Sequence, residues 1–303
     1  MAGVELEHQR VHVNGVDLHV VTAGEGPPVL LLHGFPENSY SWRKQLEPLV
    51  RAGFRVVVPD LRGYHESDKP AGVAAYHLDE LVNDVVGLVR WTGAPRAHLV
   101  GHDWGGIIAW ATAIRRPDVI DRLVVMNAPH PRVMLREARR PRQLAKSAYA
   151  FFFQLPALPE RVISARRFLL VRRLLARDPV HEGAFTSEDI ERYVEALSRP
   201  GALTAALNYY RALRDPEALR WLRRAGRVEA PTLVVWGMRD LALGPWLLDG
   251  LERWVPDLRV HRIEDASHWV QNDAPDEVNE ALLGFLGRPK GRRAEARGNG
   301  VRT

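Results

Sequence analysis

The chain has 303 residues, 46% of them hydrophobic and none of them cysteine. It is long enough to bury one large core, and it excludes a disulfide framework, a thiol nucleophile or a thiolate metal site. The net charge of +5 does not indicate a nucleic-acid partner, because the segment RPKGRRAEARGNGVRT from Arg288 to Thr303 holds six Lys or Arg against one Glu and leaves the rest near neutral.

The start MAGVELEHQRVHVNG lacks the apolar run of a signal peptide, and no apolar stretch approaches the roughly 20 residues that span a bilayer. A soluble, cytoplasmic protein without a membrane partner is expected. QRVHVNG and VDLHVVTAG then predict an opening hairpin turned at Asn14-Gly15, a dipeptide that tolerates positive φ. Short apolar runs follow at PVLLL (28–32), RVVVP (55–59), AHLVG (97–101), RLVVMN (122–127), PTLVVWG (231–237) and LRVHRI (258–263). They read as strands buried on both faces, and LDELVNDVVGLVRWTG and PDEVNEALLGFLG read as amphipathic helices between them. The alternation predicts an α/β fold with a mostly parallel sheet covered on both sides.

From Ala128 to about Pro216 no strand-like run occurs, and Arg, Leu, Ala and aromatic residues dominate. A helical insertion is expected, dividing the chain into a first core part (1–129), a helical lid (130–215), a second core part (216–287) and a basic disordered tail (288–303). Within the lid, ARRFLLVRRLLARD presents Phe168, Leu169, Val171, Leu174 and Leu175 and reads as a helix with its apolar side over a pocket rather than on a membrane. Gly24 and Gly26 precede a strand and form no phosphate loop, and no metal-ligand spacing such as H-E-x-x-H occurs, so neither cofactor nor metal is expected.

The chemistry concentrates at LVGHDWGG (99–106), where a strand meets a helix through G-x-D-x-G from Gly101 to Gly105. This is the context of a nucleophile elbow, a turn too tight for Cβ atoms at the flanking positions, with Asp103 at its apex and at a helix N-terminus. Taken alone the stretch is also compatible with a helix cap. Downstream, PTLVVWG runs into MRDLAL and sets Asp240 at a strand end, while LRVHRI leads into EDASHWVQND and sets His268 in the following loop. Nucleophile, acid and histidine in that order match an α/β-hydrolase triad. LLLHGFPEN ends a strand at a loop that in this fold lends an oxyanion donor, so the backbone N–H groups of Phe35 and Trp104 are the expected pair.

HGFPE, PDLRGYHESDKP, GHDWGG, WGMRD and SHW resemble the epoxide hydrolase and haloalkane dehalogenase branch of the α/β-hydrolase superfamily, epoxide hydrolases most closely, over residues 28 to 275. His65 departs from that pattern, which usually has glycine there, and brings the loop conformation into question. A carboxylate nucleophile suits displacement at saturated carbon, because it leaves an ester that water can cleave, whereas an alkoxide would leave an ether. The resemblance implies an epoxide and water as partners, and it implies that SAYAFFFQLP and LNYYRAL supply Tyr149 and Tyr210, with Tyr209 the weaker alternative, as acids for the leaving alkoxide. Phe35, Trp104, Tyr149, Phe152, Tyr210 and Trp269 are the expected walls of an apolar binding pocket. A dehalogenase would place Asn at Phe35, and a fluoroacetate dehalogenase Arg at Trp104. Trp104 sets the second aside, so the alternatives are a haloalkane dehalogenase using the same Asp nucleophile and a non-catalytic small-molecule binder on the same scaffold, and both a monomer and a homodimer are compatible with the sequence.

Overall fold

The structure, a computed structural model, describes residues 4–287, so the segment 288–303 expected as a disordered tail lies outside the described residues. Eight strands form one sheet: β1 (Glu7–Val13), β2 (Val16–Ala23), β3 (Pro28–Leu32), β4 (Arg55–Pro59), β5 (Ala97–His102), β6 (Ile120–Met126), β7 (Thr232–Gly237) and β8 (Leu258–Ile263). Their order is β1-β2-β4-β3-β5-β6-β7-β8. Pairing is antiparallel from β1 to β2 and from β2 to β4, and parallel across the remaining strands. The hairpin turns where expected, with φ of 48° at Asn14 and 73° at Gly15.

Alternate residues of the central strands feed two separate cores. Leu30, Leu32, Leu99, Leu123 and Val125 face one, while Val29, Leu31, Val100, Val124 and Met126 face the other. This two-sided burial explains why the strands read as unbroken apolar runs. β8 departs from expectation. It forms the sheet edge, Arg259 and Arg262 are exposed, and only Ile263 is buried, because among the described residues no further strand pairs with its outer side.

Core helices α1 (Arg43–Arg51), α2 (Leu78–Trp91) and α3 (Trp104–Arg115) precede β6. Seven helices then follow without a strand: α4 (Pro131–Glu137), α5 (Pro141–Lys146), α6 (Ala148–Phe152), α7 (Leu158–Arg177), α8 (Ser187–Ser198), α9 (Ala202–Ala212) and α10 (Pro216–Arg224). The chain closes with α11 (Val270–Asp273) and α12 (Pro275–Leu286). α7 is interrupted, since Ala165 is extended and Arg166, Arg167 and Phe168 are left-handed. Beyond the break Phe168, Val171 and Leu175 are buried at helical spacing, but Leu174 falls off that face and is 41% exposed.

A polar seam ties the inserted helices to the core. Thr186 and Asp189 form a capping box that starts α8, and Asp189 also accepts from Arg43 Nη2 at 2.9 Å and from Tyr40 Oη at 2.8 Å. Asp273 accepts the backbone N–H groups of Val180 at 2.9 Å and His181 at 2.8 Å. Among the described residues no helix is long and apolar enough to cross a membrane.

Candidate active site

β5 passes into α3 through a single sharp residue. Asp103 takes φ 50° and ψ −118°, a backbone that L side chains rarely adopt, and its carbonyl accepts the N–H of Ile107 to start the helix. The flanking glycines are required by space rather than by φ: a Cβ on Gly101 would strike the carbonyl of Gly105, and one on Gly105 would strike the carbonyl of Leu32. The carboxylate therefore stands up from the sheet at the N-terminus of α3.

Three loops converge on it. The loop after β3 brings the Phe35 N–H to Asp103 Oδ1 at 2.8 Å. The loop after β8 brings His268 Nε2 to 3.6 Å from Asp103 Oδ2. The turn after β7 brings Asp240 Oδ2 to 2.7 Å from His268 Nδ1, which fixes the ring with Nε2 toward Asp103. The other oxygen of Asp240 accepts the N–H groups of Ala242 and Leu243 at 2.7 and 2.8 Å.

All three groups are buried and strongly coupled. Burial opposes ionisation of Asp103, yet hydrogen bonding and charge from His268, with smaller help from His102 and the Phe35 N–H, hold its pKa below the ordinary value. Asp240 is held low against burial chiefly by the charge and hydrogen bond of His268, then by Asn127. Burial disfavours a charged His268, but Asp240 and Asp103 outweigh it and raise its pKa well above 6.5.

Trp104, Tyr149 and Tyr210 join Asp103 on the wall of a cavity of about 150 Å³, closed by apolar side chains that include Ile107, Met134, Leu213, Trp221 and Leu243. Tyr210 packs edge-on to Trp104 at 5.0 Å between ring centroids, and Tyr149 packs edge-on to Tyr210 at 6.0 Å. Burial raises the pKa of both phenols, and in each the charge of Asp103 adds to the shift. Tyr209 also borders the cavity, but its hydroxyl donates to the carbonyl of Arg62 at 2.7 Å and is thereby committed.

The remaining sequence expectations fare differently. Phe35 lies beneath Tyr210, ring centroids 6.0 Å apart, and offers its N–H rather than its ring to the site. Phe152 is not on the cavity wall. Phe153 is the residue that packs against both Phe35 and Tyr210, because it stands one helical turn after Tyr149 on the same face. Trp269 is buried behind His268, ring centroids 5.0 Å apart, and its Nε1 donates to Asp178 at 2.8 Å. No residue of α7 lines the cavity, so its apolar side packs within the insertion instead of over the pocket. His65 adopts φ 39° and so preserves the left-handed turn for which glycine was expected.

Sequence reasoning missed a polar support. Asn127, left-handed at the end of β6, donates to Asp240 Oδ2 at 2.8 Å and accepts from the Gly237 N–H at 2.9 Å. Behind His268, His102 Nε2 donates to the His268 carbonyl at 2.9 Å and turns Nδ1 to Glu37 at 3.1 Å. Glu37 is fully buried and also accepts from Gln271 and Asn272. Placement immediately after a strand or beside a motif residue was the available signal for Asn127, His102 and Glu37.

A family profile described as alpha/beta hydrolase fold matches residues 27–275. Epoxide hydrolase 3 of Xenopus tropicalis is 41% identical over 286 residues, covering 91% of this chain and 76% of that protein. Epoxide hydrolase 4 of Homo sapiens is 39% identical over 285 residues, covering 91% and 77%. A Bacillus megaterium epoxide hydrolase solved with an inhibitor superposes with a TM-score of 0.85 at 35% identity, covering 92% of this chain and 99% of that one. The chain belongs to the epoxide hydrolase family of the α/β-hydrolase superfamily.

Proposed function

We propose that the chain hydrolyses an apolar epoxide to a vicinal diol through a covalent ester on Asp103. The observation that carries this reading is the packed pair Tyr149 and Tyr210, ring centroids 6.0 Å apart, sharing one cavity with the Asp103 carboxylate. An epoxide placed between them has its carbon toward a nucleophile and its oxygen toward two neutral acids.

In the first step an oxygen of Asp103 attacks a ring carbon and the C–O bond on the far side breaks. The released alkoxide takes a proton from a tyrosine hydroxyl. In the second step a water gives a proton to His268 Nε2 and attacks Cγ of the ester. The oxyanion that forms is held by the N–H groups of Phe35 and Trp104. Collapse restores the carboxylate and releases the diol, and the His268 proton returns through the tyrosinate or solvent. Asp240, braced by Asn127, holds the imidazole and balances its charge.

In this reading residues 130–215 act as a cap over a core made of 1–129 and 216–287. Substrate preference is apolar because aliphatic and aromatic side chains dominate the cavity. A variant of the Bacillus megaterium enzyme, solved with its product (R)-3-[1]naphthyloxy-propane-1,2-diol, is similar to this chain with a TM-score of 0.84 at 35% identity and supports that preference.

The test uses His268→Gln, which leaves the first step intact and blocks the second. Incubation with aryl and alkyl epoxides is expected to add the full substrate mass to Asp103, read by intact and peptide mass spectrometry. An alkyl adduct formed only from haloalkanes would transfer the assignment to dehalogenation, and no adduct from either class would leave a binding protein.

A further inference from the structure

On the far edge of the sheet from β8, three chemistry-bearing side chains meet outside the hydrolytic site. His19 lies on β2, Asp60 directly follows β4, and His65 lies in the next loop. Their sequence separations of 41 and 5 residues hide the cluster from any search for local ligand spacing.

We propose that His19, Asp60 and His65 bind a divalent transition-metal ion of the zinc, cobalt and nickel class. Asp60 Oδ2 lies 2.7 Å from His19 Nδ1 and 2.9 Å from His65 Nδ1. Metal bonds of about 2.0–2.2 Å hold neighbouring N and O donors about 3 Å apart; both His–Asp pairs are near that spacing, and all three donor atoms lie within 4.8 Å of one another. Two imidazoles and one carboxylate suit this class of ion, whereas calcium and magnesium favour all-oxygen sets.

The surroundings supply the other parts of such a site. Asp60 is fully buried, and its second oxygen accepts the Ser39 N–H at 2.9 Å, which fixes the carboxylate plane. When His19 Nδ1 takes the metal, its remaining proton sits on Nε2, and His8 Nδ1 lies 3.0 Å away to accept it. His65 places its ring there from a left-handed backbone, a conformation that non-glycine residues rarely adopt. A cavity of about 430 Å³ lined by His8, His19, His65 and Tyr40 gives the ion access and leaves room for water in the open positions.

The bound ion joins β2, the end of β4 and the loop that carries His65. It lies apart from Asp103, so the reaction does not use it. Binding is measured on untagged, chelator-treated protein by titration calorimetry with ZnCl₂ and by the visible absorption of added CoCl₂. One ion per chain is expected. His65→Gly relaxes the left-handed backbone and so leaves folding secure; it is expected to weaken binding at least about tenfold, as is Asp60→Asn, while His261→Gln on the opposite sheet edge leaves it unchanged. Absence of stoichiometric binding of either ion overturns the proposal, and so does affinity that is the same in His65→Gly as in the parent.

Discussion

The Phe35 N–H donates to Asp103 Oδ1 at 2.8 Å, so one of the two donors assigned to the oxyanion already holds the nucleophile in the resting enzyme. Asp103 Oδ2, on the side of His268, is left as the oxygen free to attack. By the proposed ester route, the first diol formed carries an oxygen that belonged to the protein. In a single turnover in oxygen-18 water, the diol is expected to emerge unlabelled and the label to be found in the peptide containing Asp103. Label in the first diol would mean direct attack by water.

The neighbouring tyrosines divide their labour. Tyr149→Phe combined with Tyr210→Phe should slow ester formation by about 10²–10⁴-fold, the usual range for a lost general acid, with the single changes costing less because one hydroxyl remains. Tyr209→Phe should leave ring opening intact but lower stability by about 1–3 kcal/mol, since the Arg62 carbonyl loses its buried donor. Rapid-quench kinetics and denaturant melts separate the two effects.

Asn127 braces Asp240 and also borders the cavity. Asn127→Ala removes a hydrogen bond to the carboxylate that steadies His268 and should lower kcat about tenfold. Loss confined to KM would contradict this positioning role.

The pH response follows from the sign of each shift. His268 has a raised pKa while Asp103 is charged, and ester formation removes that charge, so the imidazole sheds its proton more readily once the ester exists. Only the neutral ring can take a proton from water, so ester hydrolysis slows as pH falls through the pKa in that state. Asp103, held below its ordinary pKa, stays ionised and keeps forming the ester. Acidification from about pH 8 to about pH 5 should therefore increase the fraction of enzyme trapped as ester during steady turnover, measured by acid quench and mass spectrometry.

Local patterns exposed the parts of this molecule that local physics governs. The elbow announces itself because Gly101 and Gly105 are the residue type its close contacts permit, and Asp240 and His268 follow from their places after β7 and β8. The two-sided strands were legible for the same reason, until β8, where position at a sheet edge overrode an apolar look. Contacts made across the fold were harder to see. Phe153 rather than Phe152 faces Tyr210, a choice made by one residue of helical phase. Asn127 and Glu37 carry no motif of their own and acquire meaning only once β6, the loop after β3 and α11 are brought together.

The seam of Arg43, Asp189 and Asp273 fastens the helices between β6 and β7 to the core. Of the aromatic residues on the cavity wall Tyr149 has the largest exposure, 38%. A residue assigned to protonate the opening ring thus also stands at the rim. Bulk added beside it would filter which molecules arrive and how quickly diols depart, so substrate breadth and turnover can be tuned at the doorway without touching the carboxylate that does the chemistry.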